Sequence, residues 1–413
     1  MTAQHDGDGT DVTDFTTFTH SLASARYEDF ARSPAAAATS AEDFAAMTEY
    51  LGNLYRGIEV TRSFADDNGQ VFDCVPVGSQ PALRGNSPLP PEAPDPPPVA
   101  PGRHGSAQSV PVRPQLHSER LDRYGHPMSC PPGTIAMRRI TLEEIAGRGG
   151  VRDFHHKHPR GAGRRGPGAP AAGLRQHTTG VQEVANLGGH SYVNIWDPQV
   201  TGAAFTVSQQ WFGTVDSTPV QTVECGYQVY PGKYGTAQPV LFIYWTADGY
   251  QNTGCYNLEC TAFVQTNSAW LLGGTLGQAS VTGGVQIELE VAWYLAGGNW
   301  WLYLGGVPVG YYPASLFGGG PLATGAGRII CGGEVYNVAG WPPMGSGAFA
   351  AGGWQYAAYH RDVQYVATDN TPQFAKLTAY QPAPDCYTSL VNSGPTPWYE
   401  YVFFGGPGGS SCS

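Results

Sequence analysis

All ten tryptophans of this 413-residue chain lie between Trp196 and Trp398, and over residues 177–413 only four basic residues remain: Lys233, Arg328, Arg361 and Lys376. The first 176 residues hold the other 18 Lys and Arg and no Trp. A stretch so rich in large aromatic side chains and so poor in charge has to bury them in one packed core. Its pattern says what kind. Tyr192–Trp196, Phe205–Trp211, Val240–Trp245, Val285–Val291 and Trp300–Leu304 are short β-branched and aromatic runs, each bounded by turn residues. No convincing helical period separates them. Residues 181–413 are therefore expected to be all-β, an antiparallel β-sandwich of lectin or jelly-roll type rather than an α/β fold.

The N-terminal part reads as a small mixed α+β segment. Residues 1–38 are expected to be disordered. In residues 39–146, Ser40 and Asp43 resemble a capping box, and Phe44, Met47, Leu51, Leu54 and Ile58 follow helical spacing. Gly69–Val77 alternates like a strand, and Cys130 sits in a second ordered patch. The proline run from Pro88 marks an extended linker over 88–114. Residues 147–180, rich in Gly, Arg, Pro and Ala, read as a flexible basic linker. Between Arg138 and Arg175 there are nine basic and three acidic residues. Within that linker, His155-His-Lys-His158 reads as a solvated junction rather than a metal site.

A formal charge of −11 with only 13% charged residues argues against nucleic acid as a partner. No apolar run is long enough for a membrane helix, and Met1–Asp6 shows neither the basic start nor the apolar stretch of a signal peptide. Eight cysteines, an even number in a Gly- and Trp-rich β chain, favour disulfides and an extracytoplasmic setting. There is no Cys-x-x-Cys for zinc, although Cys255 and Cys260 have the spacing of a small disulfide loop.

Most hydrolytic chemistry lacks its residues. His177, His190 and His360 are the only histidines after residue 176, and the chain has no Gly-x-Ser-x-Gly, no Walker loop and no His-Glu-x-x-His. Carboxylates remain. Glu224, in Gln221–Val229, and Glu334, in Arg328–Tyr336, each lie in a hydrophobic strand-like run where a charge is costly. Strand parity points Cys225 and Cys331 to the face opposite the glutamates. If those cysteines were bonded across neighbouring strands, the two glutamates would meet; otherwise they are isolated edge residues on solvated faces. Gln228 shares the parity of Glu224 and is a candidate for orienting water or substrate, with Gln210 and Tyr244 as weaker ones. No metal or cofactor is called for.

Many ordered blocks resemble the neprosin-type glutamic peptidases. They include Val193–Val200, Phe205–Trp211, Val223–Val229, Phe242–Tyr250, Thr253–Cys260, Gly332–Val335, Met344–Gly347 and Phe403–Gly408, with Phe72–Val75 and Cys130–Thr134 like the family's activation peptide. The resemblance implies a secreted zymogen whose β-sandwich cleaves peptides after proline in acid, with Glu224 and Glu334 as the catalytic pair. It implies an N-terminal segment that acts as an intramolecular inhibitor, and a monomer acting on proline-rich peptides. It also implies the pairs Cys74–Cys130, Cys255–Cys260 and Cys386–Cys412, leaving Cys225 and Cys331 for each other. Cys225, Tyr227, Cys331 and Ala348 depart from the residues usual at their places, which bears on subsite preference. A lectin-like binding module, an inactive homologue and a two-carboxylate glycoside hydrolase are the alternatives.

Overall fold

The computed structural model describes residues 12–34, 38–85, 89–101, 111–122, 124–157, 174–202, 204–215, 219–337, 340–410 and 412. The N-terminal region forms helices α1 (Phe15–Ser24), α2 (Tyr27–Phe30) and α3 (Ala41–Tyr55). A three-stranded sheet follows, β1 (Arg62–Ala65), β2 (Val71–Pro76) and β3 (Thr134–Arg138), then α4 (Leu142–Gly147) and α5 (Val151–His155). Ser40 caps α3 with a reciprocal bond to Asp43, and Phe44, Met47, Leu51 and Leu54 form its buried stripe.

From Leu174 the chain is mostly strand: β4 (Leu174–Asn186), β5 (Gly188–Asn194), β6 (Phe205–Gly213) and β7 (Thr222–Val229). A short helix, α6 (Pro231–Tyr234), leads to β8 (Val240–Thr246), β9 (Val264–Gln265), β10 (Glu288–Ala296), β11 (Asn299–Leu304) and β12 (Val307–Pro313). The rest are β13 (Ala326–Asn337), β14 (Ala358–Val366), β15 (Pro372–Phe374), β16 (Thr378–Tyr380), β17 (Thr388–Ser393) and β18 (Glu400–Gly405). They make two antiparallel sheets. One runs β17-β18-β14-β5-β10-β11-β12-β9 with β15 on β14; the other runs β16-β4-β13-β6-β7-β8.

Every residue of β6, β7 and β8 is buried, although a sandwich with one wet face shows alternation. Both faces are covered along these three strands. Phe212, Val223, Cys225, Ile243 and Cys331 point inward and pack with Val291, Trp293, Trp300 and Leu302 of the nine-stranded sheet. Phe205, Val207, Phe242, Tyr244 and Tyr336 point outward and form a second cluster. The N-terminal region roofs that outer face. Arg148 stacks 4.5 Å from the Tyr230 ring, and Arg138 and Lys233 meet Glu259 at 3.7 and 2.8 Å.

Four sequence expectations change. Residues 12–34, expected to lack order, form α1 and α2, because Phe15 and Phe18 pack edge-on against Tyr55 under the Arg139 guanidinium. The segment 147–180 is not one flexible linker: Phe154 of α5 is fully buried, and residues 174–180 belong to β4. His155-His-Lys157 is likewise no solvated junction, since His155 lies edge-on against Tyr50 and Lys157 is buried; His158 lies outside the described residues. Disulfides join Cys74–Cys130, Cys255–Cys260 and Cys386–Cys412, but Cys225 and Cys331 are free and buried.

The register explains why those two thiols stay apart. Cys331 pairs with Gln210 of β6, and Gln210 pairs with Cys225. One whole strand separates the cysteines, so their Cα atoms are roughly 9–10 Å apart, beyond the roughly 4.4–6.8 Å a disulfide spans. Burial pushes the Cys331 thiol up to about 12 and raises Cys225 as well, which leaves both unreactive in the fold. A thiol titration without reductant should therefore read none in the native protein and two after denaturation; none after denaturation would mean that they are bridged.

Candidate active site

Glu224 of β7 and Glu334 of β13 project from the outer face of the six-stranded sheet, on either side of β6. Glu334 is in register with Val207 and through it with Gln228, whereas Glu224 is in register with Trp211. The row between them reads Gly332–Gln209–Gly226. Two glycines flanking Gln209 leave the floor open where the carboxylates converge. A Cβ at Gly226 would fall 2.1 Å from the Ser208 carbonyl oxygen, so β6 and β7 could not keep their spacing with any larger residue there.

Both carboxylates grip one cation. Lys157 Nζ lies 2.5 Å from Glu224 Oε2, 2.8 Å from Glu334 Oε2 and 3.1 Å from Gln209 Oε1. A single nitrogen touches both glutamates, so the two carboxylates lie within two contact lengths of each other. All three charged side chains are almost completely buried. Lys157 follows α5, where the backbone turns extended at His156. Its N–H donates to Tyr244 Oη at 3.2 Å, and its carbonyl accepts from Arg175, whose guanidinium also pairs with Glu334. His177 Nε2 approaches Glu334 from β4 at 3.7 Å.

Glu224 has further donors. Tyr250 Oη donates to Oε1 at 2.6 Å and Thr222 Oγ1 at 2.8 Å. Tyr250 reaches it from a tight loop after β8, with φ of 63°. A non-glycine residue in that region is uncommon and marks a place the surrounding structure enforces. Asp248 braces the loop by accepting from the backbone of Gln251, Asn252 and Thr253.

These contacts set the charges. Burial opposes ionisation of Glu224, but the Lys157 ammonium and the hydrogen bonds from Lys157, Tyr250 and Thr222 bring its carboxyl below the usual value. Burial pulls Lys157 down to about 8 despite Glu224. The pair is thus ionised between the two values, neutral pH included. Burial, together with Lys157 and Arg175, pushes the His177 imidazole down, so it stays neutral.

The other sequence candidates divide. Tyr244 pairs in register with Glu224 and touches Lys157. Gln228 shares the outer face, but its one side-chain hydrogen bond among the described residues is a 3.5 Å bond to Tyr256 Oη. Gln210 does not reach the site. It points between the sheets toward Ser191, because its neighbour Gln209 has the outward parity. Lys157, Arg175, Thr222, Tyr250 and Gln209 were missed. The Gly332–Gln209–Gly226 row was hidden because strand partners are not written in the sequence.

An open groove of about 810 Å³ leads away from the pair across the uncovered half of the sheet. Its floor follows one register row, Trp211–Ile330–Val181–Thr378, whose first member is the register partner of Glu224, with Tyr380 and Lys376 at the far edge. Residues 202–407, the span that carries both glutamates, match the Neprosin family profile.

The chain belongs to the neprosin family.

Among solved structures this neprosin-family chain is similar to scytalido-glutamic peptidase bound to a peptide-based transition-state analogue. That match has 9% identity and a TM-score of 0.27, and covers 57% of this chain and 98% of that one. It is also similar to SCP-B, an eqolisin-family peptidase in complex with the tripeptide Ala-Ile-His, at 8% identity and TM-score 0.26, covering 56% and 98%. A homodimeric agglutinin from chicken liver matches at 10% identity and TM-score 0.19, covering 40% and 95%.

Removing one member of a buried ion cluster leaves uncompensated charge, at a cost of about 3–5 kcal/mol. Lys157→Met should destabilise the full chain by about that much at pH 7. The penalty should fade in acid, because without Lys157 the buried glutamates take up protons more readily. Urea unfolding of both proteins at pH 7 and pH 4 measures it.

Proposed function

We propose that this chain is the secreted zymogen of a glutamic endopeptidase that cleaves after proline in acid, with Glu224 and Glu334 as the catalytic pair. The observation that carries the reading is one ammonium, Lys157, held against both glutamates from outside the sandwich. Two carboxylates this close resist double ionisation, so without Lys157 one of them holds a proton. The ionised member activates water; the protonated one stabilises the developing oxyanion and protonates the leaving amine. Gln209 and Tyr244 border the same space and are the groups in place to orient the carbonyl. Substrate would lie in the groove, with Trp211 beside Glu224 as the wall for a proline ring. Cys225 and Cys331, the departures that raised an inactive homologue, both point away into the core.

The N-terminal region acts as the inhibitor in this reading. While docked, Lys157 fills the space where water and the scissile bond would sit. Docking lowers the Glu224 carboxyl, so the attraction is full above the ordinary glutamate value, about 4.3. It is lost as pH falls through the lowered value in the docked form. Arg175, His177, Glu334, Tyr244 and Tyr250 surround the same pair, and His177, pulled down to about 3 by burial and the nearby cations, gains its proton only in strong acid. Pro159, Pro167 and Pro170 lie in the stretch joining Lys157 to β4 and offer self-cleavage sites. The three disulfides fit an oxidising compartment.

Purified full-length protein taken to about pH 4 and below should lose its N-terminal region and cleave a proline-containing peptide after proline. Glu224→Gln and Glu334→Gln should each lower peptide cleavage by about 10²–10⁴-fold and leave the chain intact, as read by mass spectrometry. Cleavage that persists in either variant overturns the catalytic pair.

A further inference from the structure

A second polypeptide element lies on the other side of the sandwich, and no catalytic role accounts for it. Residues 89–101 hold seven prolines and adopt no helix or strand. They cross the outer face of the nine-stranded sheet. Tyr303 Oη donates to the Pro94 carbonyl at 2.6 Å, and the Ala100 N–H donates to Gln364 Oε1 at 2.6 Å. Burial along the segment repeats every three residues: Pro94 and Ala100 are half-buried, Pro97 is buried, and Asp95, Pro96, Pro98 and Val99 are exposed. Three residues per turn is the period of a polyproline II helix, which proline-rich sequences favour.

The surface beneath is built to that helix. Tyr303, Ala292, His190 and Gln364 form one row across β11, β10, β5 and β14. The two hydrogen bonds sit at its ends, three strand spacings or about 14 Å apart. Six residues of polyproline II span about 19 Å, enough to cross the row obliquely with Pro97 over its middle, where Ala292 is small. Next to Tyr303, the tilted rings of Trp301 and Tyr311 pack with centroids 4.6 Å apart, and Ala93 packs against the same cluster. Aromatic walls with a donor aimed at a proline carbonyl are how polyproline II helices are recognised elsewhere.

We infer that this row is a binding site for proline-rich polypeptide, distinct from the glutamate pair. The chain's own residues 94–100 fill it in the full-length form, and a proline-rich stretch of substrate fills it once they leave. The vacating step rests on the zymogen reading above; the binding chemistry does not. Such a site would hold a long proline-rich chain to the enzyme while another part of it enters the catalytic groove.

The test uses full-length protein at pH 7 and a synthetic peptide of residues 89–101. Two strap variants free the site without touching the sheet: Pro97→Asp, which places a charge at the buried position, and replacement of 89–101 by Gly and Ser at equal length. Each should bind the peptide at least tenfold more tightly than the wild-type chain, whose site is filled. Adding Tyr303→Phe should reverse that gain, and a peptide with glycine for proline should not compete. A folded strap variant that does not bind overturns the inference. If neither variant folds, the strap is core rather than a displaceable occupant, which also overturns it. If the peptide binds but acid never releases the N-terminal region, the site stands and the zymogen reading falls.

Discussion

Two buried carboxylates that share one face of a sheet need a cation, a proton or water between them, and here Lys157 supplies the cation. Much of the N-terminal region serves to hold that nitrogen in place. Capped α4 and buried Phe154 fix the approach, and Tyr244 and Arg175 clasp the backbone on either side of the lysine. Arg138, Lys233 and Glu144 around Glu259 provide a second buried ionic junction between the two regions. Such clusters contribute less to net stability than to position, since desolvation offsets much of their Coulombic gain. The arrangement is sensitive to protonation for the same reason.

The N-terminal region reaches both outer surfaces of the sandwich. Over the six-stranded sheet it presents a compact helical element with Lys157, Arg138 and Arg148 turned toward the sandwich. Over the nine-stranded sheet it presents an extended, proline-stiffened strap anchored at Tyr303 and Gln364. The first contact is largely electrostatic; the second is largely apolar and aromatic. Gln80 adds a third hold by exchanging hydrogen bonds with the backbone of Gln265 on edge strand β9.

Much of this was legible in the sequence. Strand parity placed Cys225 opposite Glu224, and the tryptophan distribution marked the sandwich, because alternation and aromatic burial are local signals. What failed was information held in long-range pairing. Gln210 stands among the sequence candidates and Gln209 does not, and Cys225 and Cys331 are left for each other, because nothing local shows that β6 lies between β7 and β13. Lys157 was hidden for a different reason. Its Gly- and Arg-rich neighbourhood has the composition of a flexible linker, and only the partner surface makes a buried lysine affordable.

The disulfides divide in the same way as the chain. Cys74–Cys130 closes a loop wholly within the N-terminal region, and Cys255–Cys260 and Cys386–Cys412 lie wholly within the sandwich. Among the described residues, no covalent link other than the backbone joins the two. One cut there turns an intramolecular contact into an association between separate molecules. The high effective concentration of a tethered partner then disappears, and occupancy of the glutamate pair comes to depend on dilution as well as on pH. A crowded store of nicked protein would stay plugged, and the same protein released into a large volume would open.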